Sequence, residues 1–198
     1  TADLVVIEGT EAGGHLGFKK EELAEYTPET YGEEIRKIIR TVKSYAEKYN
    51  TEIPVVVAGG IYDSGDVKRA MGLGADGVQV ATRFVTTEEC DADIRYKQAY
   101  INASKEDIMI VKSPVGMPGR AILNPLMEQV AKGIRIPHSP CHRCLAKCNP
   151  ADIPYCITDG LINAVKGNIE KGLLFCGAKA WKAEKIDTVR DAVQELFA

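Results

Sequence analysis

One tryptophan, four phenylalanines and three histidines are all that 198 residues carry of those types, and apolar runs stop at the length of a short strand. A bilayer span needs roughly 20 apolar residues in a row. Runs such as Val55-Val56-Val57-Ala58 are far shorter, so the sequence holds no transmembrane helix and no membrane partner is expected. Charge of one sign is also lacking. With 25 basic and 28 acidic residues, and a net charge of −3, no strong field would draw in a nucleic acid. Cysteine is sparse as well: six in the whole chain are too few for a disulfide scaffold. Four of them nevertheless fall between residues 141 and 156. Together these features suit a cytoplasmic protein with one local cysteine feature.

What is present is an alternation of strand-like and helix-like segments from residue 3 to about 101, the order that parallel strands with crossover helices require. Leu4–Ile7 reads as a buried strand. Residues 28–49 follow with Ile35, Ile38, Ile39, Val42 and Tyr45/Ala46 on one helical face, and Pro28 suits the start. Ile53–Ala58 is a second strand ending at Gly59-Gly60-Ile61. Residues 64–73 form a short helix closed by Gly74, and Gly77–Ala81 is a third strand. Beyond 101 the pattern changes to a β-like run at Ile108–Val111 and a Pro/Gly-rich loop from Ser113 to Arg120. Helices are expected over about 120–132, 157–171 and 187–197. Residues 1–101 and 102–198 therefore read as two parts, the second a helical extension packed on the first.

Parallel strands deliver their following loops to one rim. Here those loops are Glu8–Gly17, Ala58–Asp63 and Ala81–Phe84. Gly13 and Gly14 would let a flat ring or a phosphate come close to the backbone, and His15 would face it. Gly59 and Gly60 can present bare N–H groups before a helix, while Ala81 and Thr82 add N–H groups and a hydroxyl. Glu8 and Glu11 could orient His15 or be solvated; Arg83 could reach a phosphate or pair with an acid.

Three segments resemble the nitronate monooxygenase family, formerly 2-nitropropane dioxygenases, and the related FMN-dependent enoyl-acyl-carrier-protein reductases. They are Glu8-Gly-Thr-Glu-Ala-Gly-Gly-His15-Leu-Gly17, Val55-Val-Val-Ala-Gly-Gly-Ile61 with Leu73-Gly-Ala-Asp-Gly77, and Val78-Gln-Val-Ala-Thr-Arg-Phe84. The resemblance implies an α/β fold, the C-terminal part of a (β/α)8 barrel, in which the three strands are the sixth, seventh and eighth. It further implies FMN, held by Gly13, Gly14, Gly59, Gly60, Ala81 and Thr82, with His15 as the catalytic base or proton donor. The family usually has glycine where Ala81 stands, and an alanine still offers its N–H. A neutral imidazole could take the α-proton of a nitroalkane, with dioxygen as the electron acceptor, or steady the enolate of an enoyl thioester reduced with NAD(P)H. A generic (β/α)8 phosphate binder would use Gly59-Gly60 and leave His15 idle.

The chain begins at Thr1, two residues before strand character, and a typical barrel takes about 250 residues. It is therefore expected to be part of a longer protein, inactive by itself, with open sheet edges that favour association into homo-oligomers.

Cys141, Cys144, Cys148 and Cys156 follow the spacing C-x2-C-x3-C-x7-C, with His138 and His142 close by. Four thiolates at that spacing could close around zinc or an iron–sulfur cluster. They could equally be buried reduced cysteines packing a small helical subdomain. A metal-stabilised binding module without flavin is the corresponding alternative function.

Overall fold

The computed structural model describes residues 2–198. Three strands, β1 (Val5–Glu8), β3 (Val55–Ala58) and β4 (Gly77–Gln79), form a parallel sheet in the order β1-β3-β4. The register pairs Val5 with Val55 and Ala58 with Gln79. β3 is central: Val55 and Val57 on one face are buried, and on the other Ala58 is buried while Val56 is only partly so. β1 departs from the expected buried strand, because Leu4 and Val6 are exposed, Val5 packs on the core only partly buried, and Ile7 alone is buried.

Helix α1 (Lys20–Glu25) is a single short turn region that hydrophobic periodicity did not reveal, since none of its residues is buried. Helix α2 (Pro28–Tyr49) starts at Thr27, whose hydroxyl accepts the Thr30 N–H, and ends at Asn50 in the left-handed conformation. Ile35 and Ile39 are buried against Ile7, Val55 and Val57. Each such side chain contributes about 1.5–3 kcal/mol by leaving water. The far end of the stripe is not covered, and Ile38 and Tyr45 remain exposed. Helix α3 (Ser64–Gly72) is capped by Asp63, which accepts the Asp66 N–H at 3.0 Å. Gly74 is left-handed, as its place after α3 implies.

A second sheet was not foreseen. β2 (Gly14–His15), β5 (Ile108–Lys112) and β6 (Pro118–Ile122) form an antiparallel sheet in the order β2-β6-β5. The expected loop Ser113–Arg120 is thus a hairpin turn that runs into β6. The helix expected from Arg120 begins later, as α6 (Pro125–Ala131), where Asn124 accepts the Met127 N–H at 3.0 Å. Proline and glycine at 118 and 119 hid this strand, because both are poor strand formers. Two further helices are α4 (Thr82–Val85) and α5 (Ile94–Ile101). α7 (Ile157–Val165) stops short of its expected end, at a left-handed Gly167. α8 (Val189–Leu196) buries Ala192 and Leu196, the latter in the core of the parallel sheet.

The C-terminal half is sewn into the first half by backbone bonds. Ala178 N–H donates to the Glu11 carbonyl, and Cys176 N–H donates to the Arg120 carbonyl. Arg83 is settled as a structural residue: it is buried, pairing with Asp187 at 2.7 Å and Glu195 at 2.6 Å. It therefore ties α4 to α8 and the turn before it. Among the described residues no helix is long and apolar enough to cross a membrane.

Candidate active site

The C-terminal ends of β1, β3 and β4 open on one cavity of about 320 Å³. Its wall contains Gly13, Gly14, Gly59, Gly60, Ala81 and Thr82, so the structure brings all six expected binding residues together. Gly59 (φ 86°) and Gly60 (φ 71°) both adopt left-handed backbone. A Cβ at Gly60 would lie 2.3 Å from the Glu11 carboxylate. This turn therefore depends on glycine twice, through its torsions and through the space beside it.

Gly13 lines the cavity and also serves the fold. Its missing Cβ makes room for the chain itself, since a methyl there would stand 2.5 Å from the Cys176 carbonyl carbon. Gly14 is the open member of the pair, with nothing within 4 Å of its Cβ direction.

Several cavity residues come from the C-terminal half and escaped sequence reasoning: Phe175, Cys176, Gly177 and Lys179. The available signal was the run Leu173-Leu-Phe-Cys-Gly177, an apolar stretch ending in glycine, like the strand ends already singled out. Lys179 ion-pairs with Asp66 and lies 3.9 Å from Glu11. Glu11 thus faces Lys179 and, at 3.9 Å, Arg69, and does not orient His15. The Glu8 carbonyl instead accepts the Tyr31 hydroxyl at 2.8 Å.

His15 lies at the border of this cavity, not in its wall, and on a strand instead of a free loop. β2 pairs it with Gly119. Its Nε2 is 2.7 Å from the hydroxyl of Ser113, a buried residue at the hairpin turn. Its ring meets the edge of Phe175 with centroids 5.0 Å apart. Phe175 is held in turn by Tyr100, whose hydroxyl donates to the Phe175 carbonyl. Desolvation pushes the Tyr100 phenol well up, so it remains a donor. From the other side, the Arg120 guanidinium donates to the Ala12 carbonyl.

Partial burial lowers the His15 pKa from 6.5 by desolvation, which favours the neutral ring near neutral pH. Ser113 Oγ also accepts the Val115 N–H at 3.3 Å, and retains one proton to give and one lone pair to offer. If Nε2–H donates to Ser113, Nδ1 carries a free lone pair and can act as a base. If Ser113 donates to Nε2, Nδ1 carries the proton and can give it away. Nδ1 makes no hydrogen bond among the described residues, so it is the nitrogen available to a reactant in either state.

The donor set of the cavity suits a phosphate. Among the described residues, the N–H groups of Gly60, Ala81 and Thr82 have no acceptor outside the regular elements. Thr82 Oγ1 accepts the Gly177 N–H at 2.9 Å and keeps its own proton for another acceptor. Lys179 places a cation in the same wall. An anionic group meeting these donors would gain charge-assisted hydrogen bonds. The residues present therefore fit the phosphate end of a nucleotide-like cofactor.

The cysteine segment lies apart from this cavity, beyond Tyr155, whose hydroxyl reaches the Lys112 carbonyl at 3.4 Å. Residues 137–156 contain no strand or helix. Cys141 and Cys144 are exposed, and Cys148 and Cys156 are partly buried. The reading of buried cysteines packing a subdomain is overturned, because two of the four thiols face solvent. The segment is a loop, in the gap between the helices expected over 120–132 and 157–171. His142 Nε2 binds Asp159 at 2.7 Å, and Asp159 also takes the Ser139 N–H at 2.8 Å and its hydroxyl at 2.7 Å.

The chain is similar to several known proteins. A probable nitronate monooxygenase of Staphylococcus saprophyticus is 34% identical over 128 residues, which is 65% of this chain and 34% of that protein. One of Bacillus subtilis is 33% identical over 127 residues, 64% of this chain and 34% of that protein. The chain thus spans about a third of the length of the curated relatives it matches. FabK from Thermotoga maritima superimposes with a TM-score of 0.72 at 28% identity, covering 98% of this chain and 53% of FabK. A nitroalkane oxidase from Streptomyces ansochromogenes shares the fold, with a TM-score of 0.66 at 23% identity over 98% of this chain and 52% of that one. The characteristic pattern of the nitronate monooxygenase family matches residues 1–198, and the chain belongs to that family.

Proposed function

We propose that this chain carries the phosphate-binding and acid–base half of an FMN-dependent oxidase of alkyl nitronates. The observation that carries the reading is one cavity at three strand ends, whose wall includes the six glycine, alanine and threonine positions, with His15 at its border. Gly59, Gly60, Ala81 and Thr82 would hold the FMN phosphate, aided by Lys179, while Gly14 leaves open space on the His15 side. Bound FMN would supply two-electron redox chemistry, with dioxygen as the acceptor. His15 Nδ1 would take the α-proton of a nitroalkane or hold the nitronate oxygens. The two roles call for opposite tautomers: with Nε2–H donating to Ser113 Oγ, Nδ1 would be free to take the proton, and with the Ser113 hydroxyl donating to Nε2, Nδ1–H would hold the nitronate. Family membership supports the oxidoreductase class.

We also read β1, β3 and β4 as the last three strands of a (β/α)8 barrel and residues 102–198 as an extension packed on it. The parallel order β1-β3-β4 and the likeness to FabK support this. The activity is proposed for the whole protein, of which the chain matches a part. The second reading, an enoyl thioester reductase using NAD(P)H, is favoured by the 0.72 TM-score to FabK. It needs the His15 tautomer with Nδ1 as the donor.

The test is flavin release and fluorescence quantitation on the whole protein, followed by two assays side by side. Dioxygen uptake with an alkyl nitronate, lost in His15→Ala, is the expected result. NAD(P)H oxidation with an enoyl thioester and no nitronate turnover would replace it with the reductase. Absence of flavin after reconstitution would overturn both.

A further inference from the structure

We infer that Cys141, Cys144, Cys148 and Cys156 bind a single zinc-type divalent ion, which orders residues 137–156. All four cysteines, with His138 and His142, line one small cavity of about 20 Å³. That space admits one atom-sized guest and not a cluster several ångströms across. Between the first two cysteines, Arg143 adopts a left-handed backbone (φ 54°), one of two non-glycine residues to do so among the described residues. The turn carries Cys141 and Cys144 to the same cavity and lets the Arg143 N–H donate to Cys141 Sγ at 3.4 Å. Such N–H donation stabilises a thiolate, the form that binds metal.

A competing donor set lies nearby. His142 Nε2, Cys156 Sγ and an Asp159 oxygen sit within 4.8 Å of one another, closer than any three of the four thiols do among the described residues, so the ion would have to draw the cysteines inward. His142 and Asp159, however, are already satisfied by each other at 2.7 Å, and Asp159 also accepts two bonds from Ser139. That pair is better suited to holding the loop across α7 than to surrendering its partners to an ion. The thiols have no comparable partners. An irregular, largely exposed segment has little apolar burial to order it, and a metal crosslink supplies the missing constraint.

The whole protein, purified without chelator and under reducing conditions, is predicted to retain about one zinc per chain. Cobalt substitution of the same protein should give the intense visible bands and the sulfur-to-metal charge transfer of a tetrahedral thiolate site, without any variant. Cys144→Ser and Cys148→Ser should each weaken zinc binding at least about a hundredfold, and His142→Ala at most about tenfold, as a residue outside the ligand set would. Equal loss in His142→Ala and Cys144→Ser would overturn the four-thiolate set in favour of the histidine–cysteine–aspartate group. Iron with acid-labile sulfide would overturn the single-ion assignment. A folded protein that takes up no zinc on reconstitution, with four thiols freely reactive, would overturn the site altogether.

Discussion

The cavity at the strand ends and the cysteine segment are both clusters of chemistry-bearing residues, yet they are held in opposite ways. Around the cavity, position comes from packed backbone: Gly13 against Cys176, β2 laddered to β6, and Tyr100 pinning Phe175. Around the cysteines it comes from a few polar bonds on an exposed loop, chiefly those converging on Asp159. The first region can be preorganised by the fold alone. The second has donors that line one small cavity without a core beneath them, which is the condition under which a bound ion does the ordering.

This contrast would break if damage to the packed region were cheap. The largest expected effect is Arg83→Ala, which leaves the buried Asp187 carboxylate only the exposed Lys185 as a partner and should destabilise by about 3 kcal/mol in urea unfolding. His15→Ala should lower kcat/KM by about 10²- to 10⁴-fold with little change in stability. Gly13→Ala forces a methyl into the Cys176 backbone and should cost about 1–3 kcal/mol, measured the same way. In contrast, Ser139→Ala in the cysteine segment of metal-free protein should change stability by about 0.5 kcal/mol or less. A large effect there would show that the segment is packed after all.

The pH dependence sharpens the comparison further. His15 has a folded pKa below 6.5, so between the two values the unfolded chain binds the extra proton. Its contribution is present above pH 6.5 and is lost as the pH falls from there through the lowered folded value. His15→Gln should flatten that part of the stability curve, whereas a variant that leaves it unchanged would place the dependence elsewhere.

Much of the first half was legible because its signals are local. Valine-rich runs ending in Gly-Gly and the Ile35/Ile39 stripe identify strands and a helix without knowledge of distant contacts. The cavity followed from the rule that parallel strands share a rim. What escaped was set by distant partners. Ser113 looks like any loop serine until the hairpin carries it to His15. Gly13 looks like a ligand-facing glycine until Cys176 fills its empty side. Strand β6 contains Pro118 and Gly119, and only its pairing with β2 and β5 makes it a strand. Arg83 was ambiguous because its acids lie on the far side of the chain, at Asp187 and Glu195.

The close contact of Gly13 with Cys176 and Gly177 joins opposite ends of the chain. Contacts of such wide sequence separation carry a high loop-closure cost and tend to form late in folding. The parallel sheet and the hairpin can each be assembled beforehand, but the wall that carries Phe175 and Lys179 arrives only with that final closure. Any molecule that binds the cavity therefore selects chains that have closed this long-range contact, and its affinity reports on that closure.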